Sequence, residues 1–84
     1  MLNALSCMVD LAKPRLVMGA IRYGTKPRPY SHIIAMMHDK INTYDKTGNM
    51  EMLVDLFNLC AVESELKTHP NYHFRANDRK HEGE

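Results

Sequence analysis

Three side chains in the segment GNMEMLVDLFNLC could do polar chemistry inside an otherwise apolar run. Glu51, Asp55 and Asn58 follow one another at spacings of four and three residues, so a helix would place them on one face. A carboxylate in apolar surroundings needs a cation or a metal ion, and an amide needs hydrogen-bond partners. Three hypotheses follow. The first is contact with a neighbouring helix, through Arg15, Arg22 or a backbone cap. The second is a polar ligand pocket, and the third is a magnesium site held by Glu51 and Asp55.

Two other stretches combine cations with aromatic rings, namely RYGTKPRPYSH (residues 22–32) and HPNYHFR (residues 69–75). Arginine forks match phosphate oxygens, and a tyrosine ring offers a face on which a base can stack. We expect the two stretches to bind a phosphate-bearing ligand, and to meet across a subunit interface. The alternatives are a solvated basic loop and a tail whose Phe74 covers the core. The candidate ligand-binding residues are Arg22, Tyr23, Lys26, Arg28, Tyr30, Asp55, Asn58, Tyr72, His73 and Arg75.

The apolar pattern predicts an all-α fold of three to four helices built around an antiparallel αα-hairpin. Helical spacing extends over residues 3–12. Pro14 is expected to interrupt this helix and to start another over residues 15–23, which Gly24 would end.

The hairpin is predicted from its caps. Ser31 is expected to cap a helix over residues 32–46, Gly48 to end it, and Asn49 to cap the next helix over residues 50–67. His69 and Pro70 then stop that helix. The whole chain, residues 1–84, is predicted to be a single domain with a polar tail from about residue 70.

The last predicted helix is apolar on almost every side, which is typical of a helix buried on every side. Because 84 residues can hardly surround a central helix, we expect this helix to lie at the centre of a homo-oligomer. Cys7 and Cys60 are expected to be small buried side chains in a reducing cytoplasm.

Net charge is +1, and its distribution is uneven, since residues 11–38 contain five cations and no acid. So small an excess argues against a nucleic-acid partner, while the basic stretch favours a small anionic ligand. No apolar run approaches the length of a membrane span, and we expect no membrane partner and a cytoplasmic location.

The segment TGNMEMLVDLFN, with Glu63 and then HPNYHFR, resembles a pattern of small phage and mobile-element proteins, TGN-x-E-x-L-x-D-x-x-N followed by HP-x-x-HFR. The resemblance covers roughly residues 22–78 and implies a phage or prophage origin.

The chain is more distantly similar to the MazG-like all-α nucleoside triphosphate pyrophosphohydrolases, in which acidic pairs on two antiparallel helices hold magnesium. This similarity implies that Glu51 and Asp55 are metal ligands. Asp39 and Asp45 on the preceding helix depart from the family pattern. They are six residues apart, about 240° around a helix, and so do not share a face. Further ligands would then come from another subunit.

The leading functional hypothesis is therefore a non-catalytic, phage-like binder of a nucleotide or similar phosphate ligand, with no cofactor, that sequesters a host nucleotide signal. The alternatives are a magnesium-dependent MazG-like pyrophosphohydrolase and an inhibitor that binds a host protein through a methionine-rich surface.

Overall fold

The computed structural model describes residues 2–23 and 28–76, with side chains for residues 3–19 and 28–76. These residues form three helices and no strand, which confirms the predicted all-α fold. The helices are α1 (Leu2–Tyr23), α2 (Tyr30–Thr47) and α3 (Met50–Leu66). Within the described part of the chain, no helix is both long and apolar enough to cross a bilayer.

Helix α1 continues through Pro14, so the predicted interruption is wrong. A proline inside a helix removes one backbone hydrogen bond, here the bond to the carbonyl of Asp10, and costs about 3 kcal/mol. Contacts with α3 lie on both sides of that position: Ala12 is buried before it, and Arg15 forms ion pairs after it. These contacts stabilise the helix on both sides of Pro14 and offset the cost of the proline. The predicted cap Gly24 lies outside the described residues.

Helix α2 begins two residues earlier than predicted, and Ser31 does not cap it. Pro29 occupies the N-cap position with an extended backbone (φ −66°, ψ 155°) and no side-chain hydrogen bond. Its carbonyl instead accepts the amides of His32 and Ile33 at 3.0 and 3.2 Å. The proline ring already fixes φ near the required value, so the helix starts at the next residue.

The joint between α2 and α3 follows the sequence prediction. Gly48 ends α2 in the left-handed conformation (φ 70°) and donates its amide to the carbonyl of Tyr44 at 2.7 Å. Asn49 caps α3, because its side-chain oxygen accepts the amide of Glu51 at 3.0 Å. With so short a joint, α2 and α3 pack as an antiparallel hairpin.

Helix α3 packs against both α1 and α2, which do not contact each other within the described residues. The buried apolar side chains are Ala12, Ile33 and Val54, one from each helix. Helix α3 is thus the helix that contacts both others, and the described residues cover only part of its surface. Its expected position at the centre of a homo-oligomer stays a prediction.

Both cysteines contradict their predicted burial. Cys7 and Cys60 are free and exposed. Cys7 lies on α1, which has a neighbour on one side only, and Cys60 lies on the uncovered side of α3.

Candidate functional site

The carboxylates of α3 meet two cations, one from each neighbouring helix. Arg15 of α1 donates from Nε and Nη2 to Oδ1 of Asp55 at 3.2 and 3.0 Å, and from Nη2 to Oε1 of Glu51 at 2.7 Å. Lys40 of α2 places its Nζ 3.3 Å from Oδ2 of Asp55. The hydrogen bonding that Arg15 donates to Asp55 is the main cause that raises the pKa of Arg15 above its ordinary value. Asp55 thereby links all three helices.

Asn58 serves the same interface through its amide. Its Nδ2 donates to the backbone carbonyl of Ala12 at 3.0 Å. Ala12 is only 1% exposed, so its small side chain lets α3 come close enough for this contact. For Asp55 the structure shows the first of the three hypotheses, which is contact with a neighbouring helix through Arg15. Asn58 also contacts that helix, but its partner is a carbonyl inside α1 and not the predicted backbone cap.

Glu51 and Asp55 share one face of α3, as the magnesium hypothesis requires, but cations already occupy that face. Both carboxylate oxygens of Asp55 have a cationic partner, and Oε1 of Glu51 has one as well. Among the described residues no three His, Cys, Asp or Glu side chains are grouped as metal ligands. A metal ion bound here would have to displace Arg15 and Lys40.

The second polar region lies at the start of α2. Arg28 places its Nη1 3.5 Å from Nε2 of His32, at the long limit of a hydrogen bond, and donates to the sulfur of Met36 at 3.5 Å. Arg28 precedes α2, whereas His32 and Met36 are spaced by four and lie on one face of that helix. His32 and Met36 also line an open groove, together with Ala35, Asp39 and Lys40.

The segment after α3 is a defined turn. The amide of Tyr72 donates to the carbonyl of His69 at 3.2 Å, with Pro70 at the second turn position, where its fixed φ is favoured. The ring of His69 accepts the amide of Asn71 on Nδ1 at 2.9 Å. Phe74 is 100% exposed, so the alternative in which it covers the core is wrong.

The two cationic, aromatic stretches meet within one chain. The rings of Tyr30 and His69 lie edge to face, with centroids 4.8 Å apart and planes at 76°. Since α2 and α3 are antiparallel, the start of α2 and the turn after α3 share one end of the molecule. This contact needs no second subunit.

The predicted site residues fall into two places. Arg28 and Tyr30 lie at the shared end. Tyr72 is the last residue of the turn that contacts this end, and His73 and Arg75 follow that turn. Asp55 and Asn58 lie at the interface of α3 with α1. The side chains of Arg22 and Tyr23 and the whole of Lys26 lie outside the described part of the chain.

Sequence reasoning left three contributors to these two places unassigned. Lys40 completes the cluster around Asp55. The sequence feature that could have identified it is a cation at helical spacing from the apolar residues of α2. His69 joins the two stretches, and Glu63 holds the turn that contains it. The only signal for Glu63 is an acid placed five residues before a threonine at a helix end.

Comparisons with known proteins add no family to this description. No family model matches the chain, and neither a curated protein nor a solved structure is significantly similar to it.

Proposed function

We propose that this protein is a non-catalytic, cytoplasmic binder of a phosphate-bearing ligand such as a nucleotide, and that the ligand binds at the shared end of α2 and α3. The observation that carries the proposal is the contact between Tyr30 and His69, which joins the two stretches that combine cations with aromatic rings. Phosphate recognition needs cations, and base recognition needs an exposed ring, at one place.

The charges at this end support an anionic ligand. Arg15 and Lys40 are the only cations in ion pairs between described residues, so no carboxylate of that part of the chain neutralises Arg28 or Arg75. Arg28 contacts an imidazole and a thioether, which leave its charge available. Tyr72 is 59% exposed and offers a ring face for stacking.

The opposite arrangement at Asp55 supports binding without turnover. A magnesium-dependent enzyme needs carboxylates free to hold the metal, whereas Asp55 and Glu51 are engaged by cations. A small protein that binds a nucleotide without consuming it fits the role of sequestering a host nucleotide signal, as a phage-encoded protein would.

The test is titration calorimetry with ATP, GTP and inorganic pyrophosphate in the presence of a chelator of divalent metals. We expect Arg28→Ala to weaken binding about tenfold or more, because a charge-assisted hydrogen bond to phosphate is lost. Lys46→Ala is the matched control, since Lys46 is an exposed cation in the last turn of the same helix. If the native protein binds none of the three probes, or if Arg28→Ala binds as well as the native chain, the proposal is wrong.

The magnesium-dependent alternative has a separate test. Pyrophosphate release from nucleoside triphosphates would require magnesium and would disappear in Asp55→Asn. Release by the native protein would displace the binding proposal in favour of the enzyme.

We also propose that copies of the chain associate through α1. Among the described residues this helix packs only against α3, and it exposes large apolar side chains, including Leu5, Leu11, Val17 and Met18. Large apolar side chains exposed on a helix with one neighbour are candidates for an interface. Native mass spectrometry at rising concentration should show oligomers that Leu11→Asp removes and that Ile41→Asp, the equivalent change on α2, retains. A monomer that instead retains one stoichiometric host protein would favour the inhibitor hypothesis.

A further inference from the structure

The turn after α3 is held by one carboxylate. Oε2 of Glu63 accepts the backbone amides of Thr68 and His69 at 3.0 and 3.2 Å, and Oε1 accepts the hydroxyl of Thr68 at 2.6 Å. Lys67, which lies between Glu63 and Thr68, adopts the left-handed conformation (φ 53°) that turns the chain out of the helix. One side chain thus fixes Thr68 and His69, the two residues that lead from Lys67 into the turn.

The position of this carboxylate is unfavourable for α3 itself. The last turn of a helix carries a partial negative charge, and acids there are destabilising. Glu63 and Glu65 both lie near this end, and the last turn contains no basic residue. The contacts made by Glu63 go forward into the turn, so its benefit lies in the conformation of the turn.

That conformation determines where the histidine lies. His69 presents its ring to Tyr30, accepts the amide of Tyr72 on its carbonyl, and accepts the amide of Asn71 on its ring. The turn that precedes His73 and Arg75 is therefore built on His69, and His69 is held by Glu63.

We infer that Glu63 is a positioning residue, which fixes the segment His69–Arg75 against the start of α2. Its relevance to ligand binding rests on the proposed function, whereas its effect on the contact between Tyr30 and His69 does not. Glu63 itself makes no contact with the ligand in this scheme.

The contact is measured by NMR on the full chain. In the native protein we expect nuclear Overhauser effects between the rings of Tyr30 and His69, and slow exchange of the amides of Thr68 and His69. Glu63→Ala should abolish the ring contact and speed exchange of both amides about tenfold or more, because their acceptor is lost. Glu63→Gln retains one acceptor oxygen and should give an intermediate result.

The matched control is Glu65→Ala, which removes an exposed acid from the same end of the helix and changes the charge equally. It should leave the ring contact and both amides as in the native protein. Helix content from circular dichroism confirms that each variant is folded. A ring contact that persists in Glu63→Ala, or one that is lost equally in Glu65→Ala, overturns the inference.

Calorimetry with ATP separates this inference from the proposed function. We expect Glu63→Ala to weaken binding about tenfold, and Glu65→Ala to bind as the native protein does. If the ring contact is lost while affinity is unchanged, Glu63 does not position the binding site. If the native protein binds no phosphate probe, the proposed function fails, and the NMR result still decides whether Glu63 fixes the segment.

Discussion

Replacing Asp55 by asparagine tests whether this carboxylate is structural. The substitution keeps the shape of the side chain and removes the charge that faces Arg15 at 3.0 Å and Lys40 at 3.3 Å. The side chains of Asp55, Lys40 and Arg15 are 21%, 25% and 44% exposed, so water screens the pairs only partly. Ion pairs of this exposure contribute about 0.5–1 kcal/mol each, and Arg15 retains Glu51, so we expect a loss of about 1–2 kcal/mol.

The assay is urea unfolding followed by circular dichroism, with Asp45→Asn as the control. Asp45 is exposed on α2 and forms no ion pair among the described residues, so its substitution should change stability by less than about 0.5 kcal/mol. High salt should reduce the difference between native and Asp55→Asn proteins, because salt screens exposed charges. An Asp55→Asn protein that is as stable as the native one, or more stable, would refute the structural role and would favour a functional one.

Three further outcomes follow from the same structure. Asn58→Ala should lower the free energy of unfolding by about 1–2 kcal/mol, because the hydrogen bond to the carbonyl of Ala12 is lost at a partly buried interface; urea unfolding measures this. Pro14→Ala should raise the free energy of unfolding by about 1–3 kcal/mol, since a helix-interior proline is replaced by the best helix former; a lower thermal midpoint would contradict this. Hydrogen bonding, first of all from the hydroxyl of Thr68, lowers the pKa of Glu63 below its ordinary value near 4.5. The ionised Glu63 therefore contributes its full stabilisation at pH values above the ordinary pKa, and this stabilisation is lost as the pH falls through the lowered pKa. Glu63→Gln should thus lose less stability between pH 7 and pH 3 than the native protein does.

Local chemistry accounts for the parts of the fold that could be predicted. Gly48 and Asn49 act within a few residues of themselves, through a left-handed backbone and a side-chain cap, so their roles can be read from the sequence. The predictions for Pro14 and Ser31 are wrong for the converse reason. Contacts with α3 outweigh the local cost of Pro14, and Pro29 takes the cap position that a serine commonly fills.

For the candidate site, the sequence by itself determined which side chains need partners. A carboxylate and an amide inside the apolar run of α3 must be satisfied, and that requirement holds whatever the fold. Only the tertiary structure decided the partners, because Arg15 and Lys40 approach Asp55 from two different helices that both pack against α3. It likewise decided that Tyr30 and His69 touch, since the antiparallel hairpin returns the chain to the same end. The residue type determines whether a side chain needs a polar partner. The packing of helices that are distant in sequence determines which residue is that partner.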